Sequence, residues 1–365
     1  MNLFLDNIVF SLQKSGGISV VWYEILKRIL IDPEFNSYFL EIPNKNIFRN
    51  RLEILPKRIL YNPYLYYPIK IQRFINPNYI KEKGIFQSSY YRISNNPNII
   101  NITTVHDFTY ENFYSGIATL IHHRQKTIAI KNSKRIICVS QNTKKDLLKY
   151  FPNSNTDQIS VIYNGVDTIY QPILNKNECE LKQLIDYSSG EYVLFIGHRN
   201  NVTRNYGFVI KACKLINLPI VLVSGGFLSN KEKTYLTKML GSNRYTVLQG
   251  INNEQLNILY NHALCLLYPS ISEGFGIPII EAQRAGCPVI SSNYSSIPEV
   301  AGKGAILLNK VNEYTIAEML NLLKNDLPMV SILREEGFKN SQRFSWDKCY
   351  QETKVLYKEV YEEYF

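Results

Sequence analysis

The chain has 365 residues, of which 45% are hydrophobic and 20% charged, with 41 Lys and Arg against 31 Asp and Glu. That balance excludes a disordered or fibrous chain and suits about two globular domains. The longest apolar runs, at 192–196 and 263–268, fall far short of the roughly 18 residues that cross a bilayer.

The opening MNLFLDNIVF lacks a basic start and carries Asp6, so it reads as a first buried strand over residues 3–9 and not as a signal peptide. Gly16 and Gly17 follow, and apolar residues then recur at 18, 21, 22, 25, 26 and 29 with helical spacing. A glycine pair at a strand-to-helix turn either makes a tight turn or lets backbone N–H groups approach a phosphate. A strand is expected at 38–42. Residues 44–92 hold ten basic residues against Glu53 and Glu82, with seven interleaved tyrosines. Three readings fit that composition: a solvated basic face over core tyrosines, a surface for an anionic membrane or acceptor, or a single-stranded nucleic-acid site. No nucleic-acid motif accompanies it, so nucleic acid is not expected as a partner.

The strand at 99–105 ends in His106-Asp107, a pair that either orients a ligand hydroxyl or charge, or caps a loop. Strands at 135–139 and 159–163 complete a first set. A polar stretch with Pro172 then separates it from a second set at 192–196, 220–223, 245–248, 263–268, 289–291 and 305–308. Near-continuous apolar strands alternating with helices predict parallel sheets covered on both faces, hence two doubly wound α/β domains. The expected divisions are 1–168, a linker at 169–189, 190–344, and a terminal helix at 345–365 that packs back on the first domain. Six cysteines without a CxxC pair fit reduced thiols in a cytoplasmic protein. Of the basic residues, 22 lie in positions 1–180 against 14 acids, so an anionic partner is expected to meet the first half.

Two segments of the second half carry chemistry. After the strand at 192–196 comes Gly-His-Arg-Asn-Asn-Val-Thr-Arg-Asn, whose Arg199 and Arg204 suit a diphosphate at a sheet mouth, or are merely exposed loop arginines. The other is Tyr268-Pro-Ser-Ile-Ser-Glu-Gly-Phe-Gly-Ile-Pro-Ile-Ile-Glu-Ala282. Gly274 and Gly276 free the backbone before a helix with Pro278 in its first turn, so the N–H groups of Gly274, Phe275, Gly276 and Ile277 can face a ligand. Glu273 and Glu281 would repel an anion but suit sugar hydroxyls.

This segment resembles the retaining glycosyltransferases of family 4, with Glu273 and Glu281 as their E-x7-E pair. The resemblance extends to GINNEQLNILY at 250–260, AGCPVI at 285–290, IPEVAG at 297–302, ICVSQNTKKD at 137–146 and VIYNGVD at 161–167. It thins across 44–92. It implies a GT-B fold, two Rossmann-like domains facing each other across a cleft, the second binding a nucleoside-diphosphate sugar and the first an acceptor. It implies that Glu281 holds the ribose hydroxyls, that Glu273 and the N–H groups of 274–277 face the donor sugar, and that Arg199 takes the diphosphate. Gly16 and Gly17 would bring backbone to the phosphate, and His106 with Asp107 would contact the donor sugar. The usual lysine before asparagine is replaced here by Arg204-Asn205, in a slightly longer loop.

The implied activity is retaining transfer of a hexosyl, mannosyl- or rhamnosyl-like, to a glycan or lipid-linked acceptor in cell-surface polysaccharide or lipopolysaccharide synthesis, without metal or other cofactor. GDP-mannose is the favoured donor, with UDP- and dTDP-sugars as alternatives. The enzyme is expected in the cytoplasm, peripheral on the inner face of the plasma membrane, with residues 44–92 on an anionic surface. The alternatives are a soluble-acceptor transferase, a sugar-nucleotide epimerase, or a non-catalytic nucleotide-sugar-binding subunit.

Overall fold

The computed structural model describes every residue except 62 and 64–66, together with the side chain at 70. Tyr64, Tyr66 and the Lys70 side chain of the basic stretch therefore lie outside the described residues. The chain divides into two compact units, one of Met1–Gly165 with Trp346–Phe365, the other of Val166–Ser345.

The first unit is built on a seven-stranded parallel sheet. Its strands are β1 (Asn2–Asp6), β2 (Asn36–Glu41), β3 (Ile59–Tyr61), β4 (Gly84–Ser88), β5 (Ile99–Val105), β6 (Arg135–Cys138) and β7 (Ile159–Val161), in spatial order 3-2-1-4-5-6-7. The second unit holds six parallel strands: β8 (Val193–Ile196), β9 (Ile220–Val223), β10 (Tyr245–Leu248), β11 (Cys265–Tyr268), β12 (Val289–Ser292) and β13 (Ile306–Leu308). Their order, 10-9-8-11-12-13, repeats the same winding. Strands such as Val193–Ile196 and Ile220–Val223 are buried at every position, as central strands covered on both faces must be. In each sheet the winding reverses once, between β1 and β4 and between β8 and β11. Loops leaving the carboxyl ends of those strands border the crevice where such sheets take ligands.

Three expectations are corrected. The first strand stops at Asp6, and Ile8–Leu12 turns into a short helix with Ile8, Val9 and Phe10 buried. Two strands in the tyrosine-rich stretch, β3 and β4, were not expected. The supposed linker at 169–189 belongs to the second unit. It contains the helix Glu178–Lys182, and Tyr170, Leu181 and Ile185 are buried in it, because their apolar rings and branches outweigh the polar composition around them.

The last helix, Trp346–Tyr364, belongs to the first unit and buries Trp346, Cys349, Tyr350, Leu356 and Tyr357. Tyr357 donates to Gln87 Oε1 on β4, and Gln87 Nε2 donates to Thr104 Oγ1 on β5 at 2.8 Å, so the polar middle of β4 is satisfied from both sides. Arg92 and Asp6 form a fully buried ion pair that Ser88 also bonds. Arg92, Arg49 beside Glu41 and Arg73 beside Gln125 are thus spent internally, whereas Arg51, Lys57, Lys81 and Lys83 of the same stretch are exposed. Among the described residues no helix is long and apolar enough to cross a membrane.

Candidate functional site

In the second unit the two loops at the β8/β11 switch point meet. The loop after β8 ends in a short turn, Val202–Arg204, and Asn205 adopts a left-handed conformation at φ 54° before the helix Tyr206–Leu215. Asn205 Nδ2 donates to Pro269 O at 2.8 Å, and Ile271 N–H donates to Thr203 O at 2.9 Å, stitching this loop to the one after β11. Arg204 is thereby brought onto Glu273. Its Nε lies 3.1 Å from Oε1, out of line for a hydrogen bond, and Nη2 donates to Oε2 at 3.4 Å. The guanidinium stacks 4.5 Å above the Tyr268 ring. Burial works against its charge, but Glu273 and Tyr268 outweigh that and raise its pKa. Nε and Nη1 are buried without an aligned acceptor, which is a costly state unless a ligand oxygen completes it.

The helix Ile277–Arg284 starts directly behind. Gly276 is its N-cap at φ 102°, a conformation that an L side chain resists, and Pro278 occupies its first turn. As a glycine, the N-cap brings no capping side chain of its own. Serines hold the loop in place: Ser295 Oγ donates to Glu273 O at 2.7 Å and Ser296 Oγ to Phe275 O at 3.0 Å. The helix N-terminus therefore presents partial positive charge beside Arg204. One turn further on, Glu281 accepts a hydrogen bond from Tyr260 Oη at 3.0 Å, and the Tyr170 hydroxyl faces it as well. Burial raises its pKa to about 7, partly offset by those two tyrosines, with Asp167 pushing further upward.

Arg199 does not join this group. Only 5% exposed, it donates to Ser224 O at 2.7 Å and Gly226 O at 2.8 Å, and its Nε lies 3.3 Å from Glu232. Its guanidinium braces the loop after β9, so of the two arginines expected at the diphosphate it is Arg204 that stands beside Glu273.

The first unit carries its own cluster at the β1/β4 switch. Gly16 is extended and precedes the helix Gly17–Ile29, and a Cβ on it would strike the flexible end of Gln13 at 2.5 Å. A Cβ on Gly17 would meet nothing within 4 Å, so the backbone there stays open to approach. His106 lies beyond β5 and lines a cavity with Ile18, Trp22, Ser88, Asn164 and Cys349. Burial, together with Lys126, lowers its pKa to about 4 against the opposing pull of Asp107. It is therefore a neutral imidazole at physiological pH, suited to bonding a hydroxyl and not to meeting charge. Asp107 serves the loop: Oδ1 accepts from Thr109 N–H at 2.9 Å, and its carbonyl accepts from Lys126 Nζ at 2.7 Å. Lys126 in turn holds Glu111 at 2.8 Å.

Sequence reasoning missed Tyr170, Tyr260, Lys126 and the serines at 295 and 296. Tyr260 stood within the quoted GINNEQLNILY pattern, and a buried hydroxyl at the end of an apolar helix face was a readable sign that it bonds something.

Residues 178–340 match the family model described as glycosyl transferases group 1, and residues 84–170 match that of glycosyltransferase family 4. The chain is 27% identical over 271 residues to O-antigen chain mannosyltransferase B of Escherichia coli, covering 70% of each chain. It spans between 50% and 70% of the length of the curated relatives it matches first. Among solved structures, sucrose-phosphate synthase of Thermosynechococcus elongatus superimposes with a TM-score of 0.78 at 16% identity, covering 99% of both chains. Anabaena HepE in complex with UDP-glucose gives 0.75 at 16% identity over 100% of both. With two parallel Rossmann-like sheets and both family signatures, the chain belongs to the family 4, group 1 glycosyltransferases of GT-B fold.

Proposed function

We propose that the protein transfers a hexosyl group from a nucleoside-diphosphate sugar, with retention at the anomeric carbon, to a glycan or lipid-linked acceptor in cell-surface polysaccharide synthesis. The observation that carries this reading is the meeting of Arg204, Glu273 and the Gly276-capped helix start at the β8/β11 switch point. Arg204 and the helix N-terminus receive the diphosphate, whose charge grows as the glycosidic bond breaks, so their contribution rises in the transition state. That arrangement requires no divalent ion. Glu281 accepts the ribose hydroxyls, with Tyr260 and Tyr170 fixing its carboxyl. Glu273 and the backbone of 274–277 face the donor sugar. In the first unit, His106 as a neutral imidazole is suited to bond a sugar hydroxyl, and Gly16 and Gly17 leave the backbone open to phosphate. Arg199 acts through the loop it braces, as a positioning residue.

The O-antigen relative is a mannosyltransferase and HepE holds UDP-glucose, so both GDP-mannose and UDP-sugars are candidate donors. The proposed site of action is the cytoplasmic side of the plasma membrane. Calorimetry against UDP-, GDP-, ADP- and dTDP-sugars selects the donor, and nucleotide release on addition of lipid extract reports transfer. A donor that binds without any nucleotide release across acceptor extracts would make the protein a binding subunit. An inverted anomeric configuration in the product, read by NMR, would overturn retention.

A further inference from the structure

The helix Ile117–Lys131 is turned inside out. A surface helix ordinarily buries its apolar stripe and offers polar residues to water. Here His122, Gln125 and Lys126 face inward with Ala129 and Ile130, whereas Ile117 is 77% and Leu120 69% exposed, and Ile121 and Ile128 are exposed too. The inward polar groups are engaged. Lys126 holds Glu111 and the Asp107 carbonyl, Gln125 exchanges hydrogen bonds with Arg73, and His122 stacks on Tyr110 at 4.4 Å. These bonds fix the rotation of the helix, so its aliphatic face cannot roll inward.

The outward stripe runs 117, 121, 124, 128, 131, one line along a helix. Along it Ile117, Ile121 and Ile128 alternate with the exposed Arg124 and Lys131. The preceding turn adds Tyr110, Phe113 and Tyr114, all exposed. Exposed Lys149 borders it, beside Tyr150, which donates to Asn112 at 2.7 Å. Between residues 108 and 132 the carboxylate is Glu111, which is buried against Lys126, and the nearby Asp146 is half-buried beside Asn142. An apolar face with a basic rim and no exposed acid fits an anionic bilayer: aliphatic residues at the acyl boundary, tyrosines at headgroup depth, and cations on the phosphates. A second copy would bring a like-charged rim against this one.

We propose that Ile117–Lys131, with the turn at 110–114, is an interfacial helix that docks the enzyme on an anionic lipid bilayer. The element that inserts is this helix and not the basic stretch 44–92, several of whose cations are spent inside the fold. This reading goes beyond sugar transfer and is tested without donor. The full chain is floated with phosphatidylethanolamine–phosphatidylglycerol vesicles and, as the uncharged arm, with phosphatidylcholine vesicles. Wild type is expected to float with the anionic vesicles and to be released by salt. The variant Ile117→Ser/Leu120→Ser/Ile121→Ser, altered only at exposed positions, is expected to melt like wild type and to lose affinity on the order of tenfold or more. Arg124→Ser/Lys131→Ser is expected to weaken binding to the charged vesicles alone. In Leu120→Trp, the emission added over wild type should shift to the blue on binding and be quenched by brominated acyl chains. The triple variant floating as wild type does, or an added emission in Leu120→Trp that stays solvent-like in the bound protein, overturns the proposal and returns attachment to residues 44–92. A dimer in sedimentation that the triple variant dissolves, with no flotation, overturns it in favour of a second copy.

Discussion

Arg199 and Arg204 sit in one loop yet do different things, and their substitutions should separate. Replacing Arg204 by Ala removes the guanidinium from the diphosphate and leaves Glu273 uncompensated. Turnover at saturating donor should fall about 10²–10³-fold, the range seen when one charge-stabilising donor is lost. Lysine in its place restores charge but not the forked geometry, so steady-state kinetics should place Arg204→Lys between the two. Arg199→Ala instead removes the charged donor from the carbonyls of Ser224 and Gly226, which Gln249 still bonds, and from Glu232. It should cost about 1–3 kcal/mol of stability in a denaturant titration, with a smaller effect on kcat of the folded protein. Glu281 adds a pH signature. Its folded pKa of about 7 lies above the ordinary glutamate value, so the neutral carboxyl favours the fold. That stability is fully present below about 4.5 and is lost as pH rises through about 7. Donor affinity should move the other way, strengthening as the carboxylate forms to accept ribose hydroxyls. Calorimetry from about pH 6 to pH 8 on wild type and Glu281→Gln checks this, and the variant should lose the pH dependence.

Among the elements, the turn into the helix Ile277–Arg284 depends most on one residue. Gly276→Ala places a Cβ at a φ of 102° and 3.3 Å from Ile279 Cδ1. The strain should cost about 1–2 kcal/mol, read as a lower denaturation midpoint, and should shift the helix start enough to weaken donor binding. This turn was legible from the sequence because its glycines and proline have few other uses together. All the expected strands are present, because runs such as Ile220–Val223 leave no polar position to mislead. β4 was hidden for the opposite reason, whereas β3, Ile59–Tyr61, was hidden by its length of three residues. β4 carries Gln87 and Ser88, which look like loop residues until Tyr357, Thr104 and Asp6 arrive from distant elements to bond them. The place of Arg199 was illegible on the same grounds, since the carbonyls that hold it lie on another loop. The tyrosine clamp on Glu281 draws one ring from residue 170 and one from residue 260, a pairing that only the folded chain reveals.

The whole molecule rests on two independently wound sheets, and the pH response should differ between them. His106 in the first unit has a folded pKa of about 4, below the usual histidine value of 6.5. Its contribution to stability is present above about 6.5 and is lost as pH falls toward 4. Thermal melts in mild acid should therefore weaken the first unit while Glu281 firms the second, splitting one transition into two, and His106→Gln should narrow the split. A last consequence follows from the helix Trp346–Tyr364, which belongs to the first unit although it comes after the whole of the second. During synthesis the ribosome releases the first 165 residues long before the segment that covers β4 and supplies a partner to Gln87. The second unit, contiguous from Val166 to Ser345, has everything it needs as soon as it emerges. Order of birth and order of maturation are thus inverted. In stalled nascent chains, protease resistance should arise first in the second unit, and the first should stay cleavable until the helix Trp346–Tyr364 clears the exit tunnel.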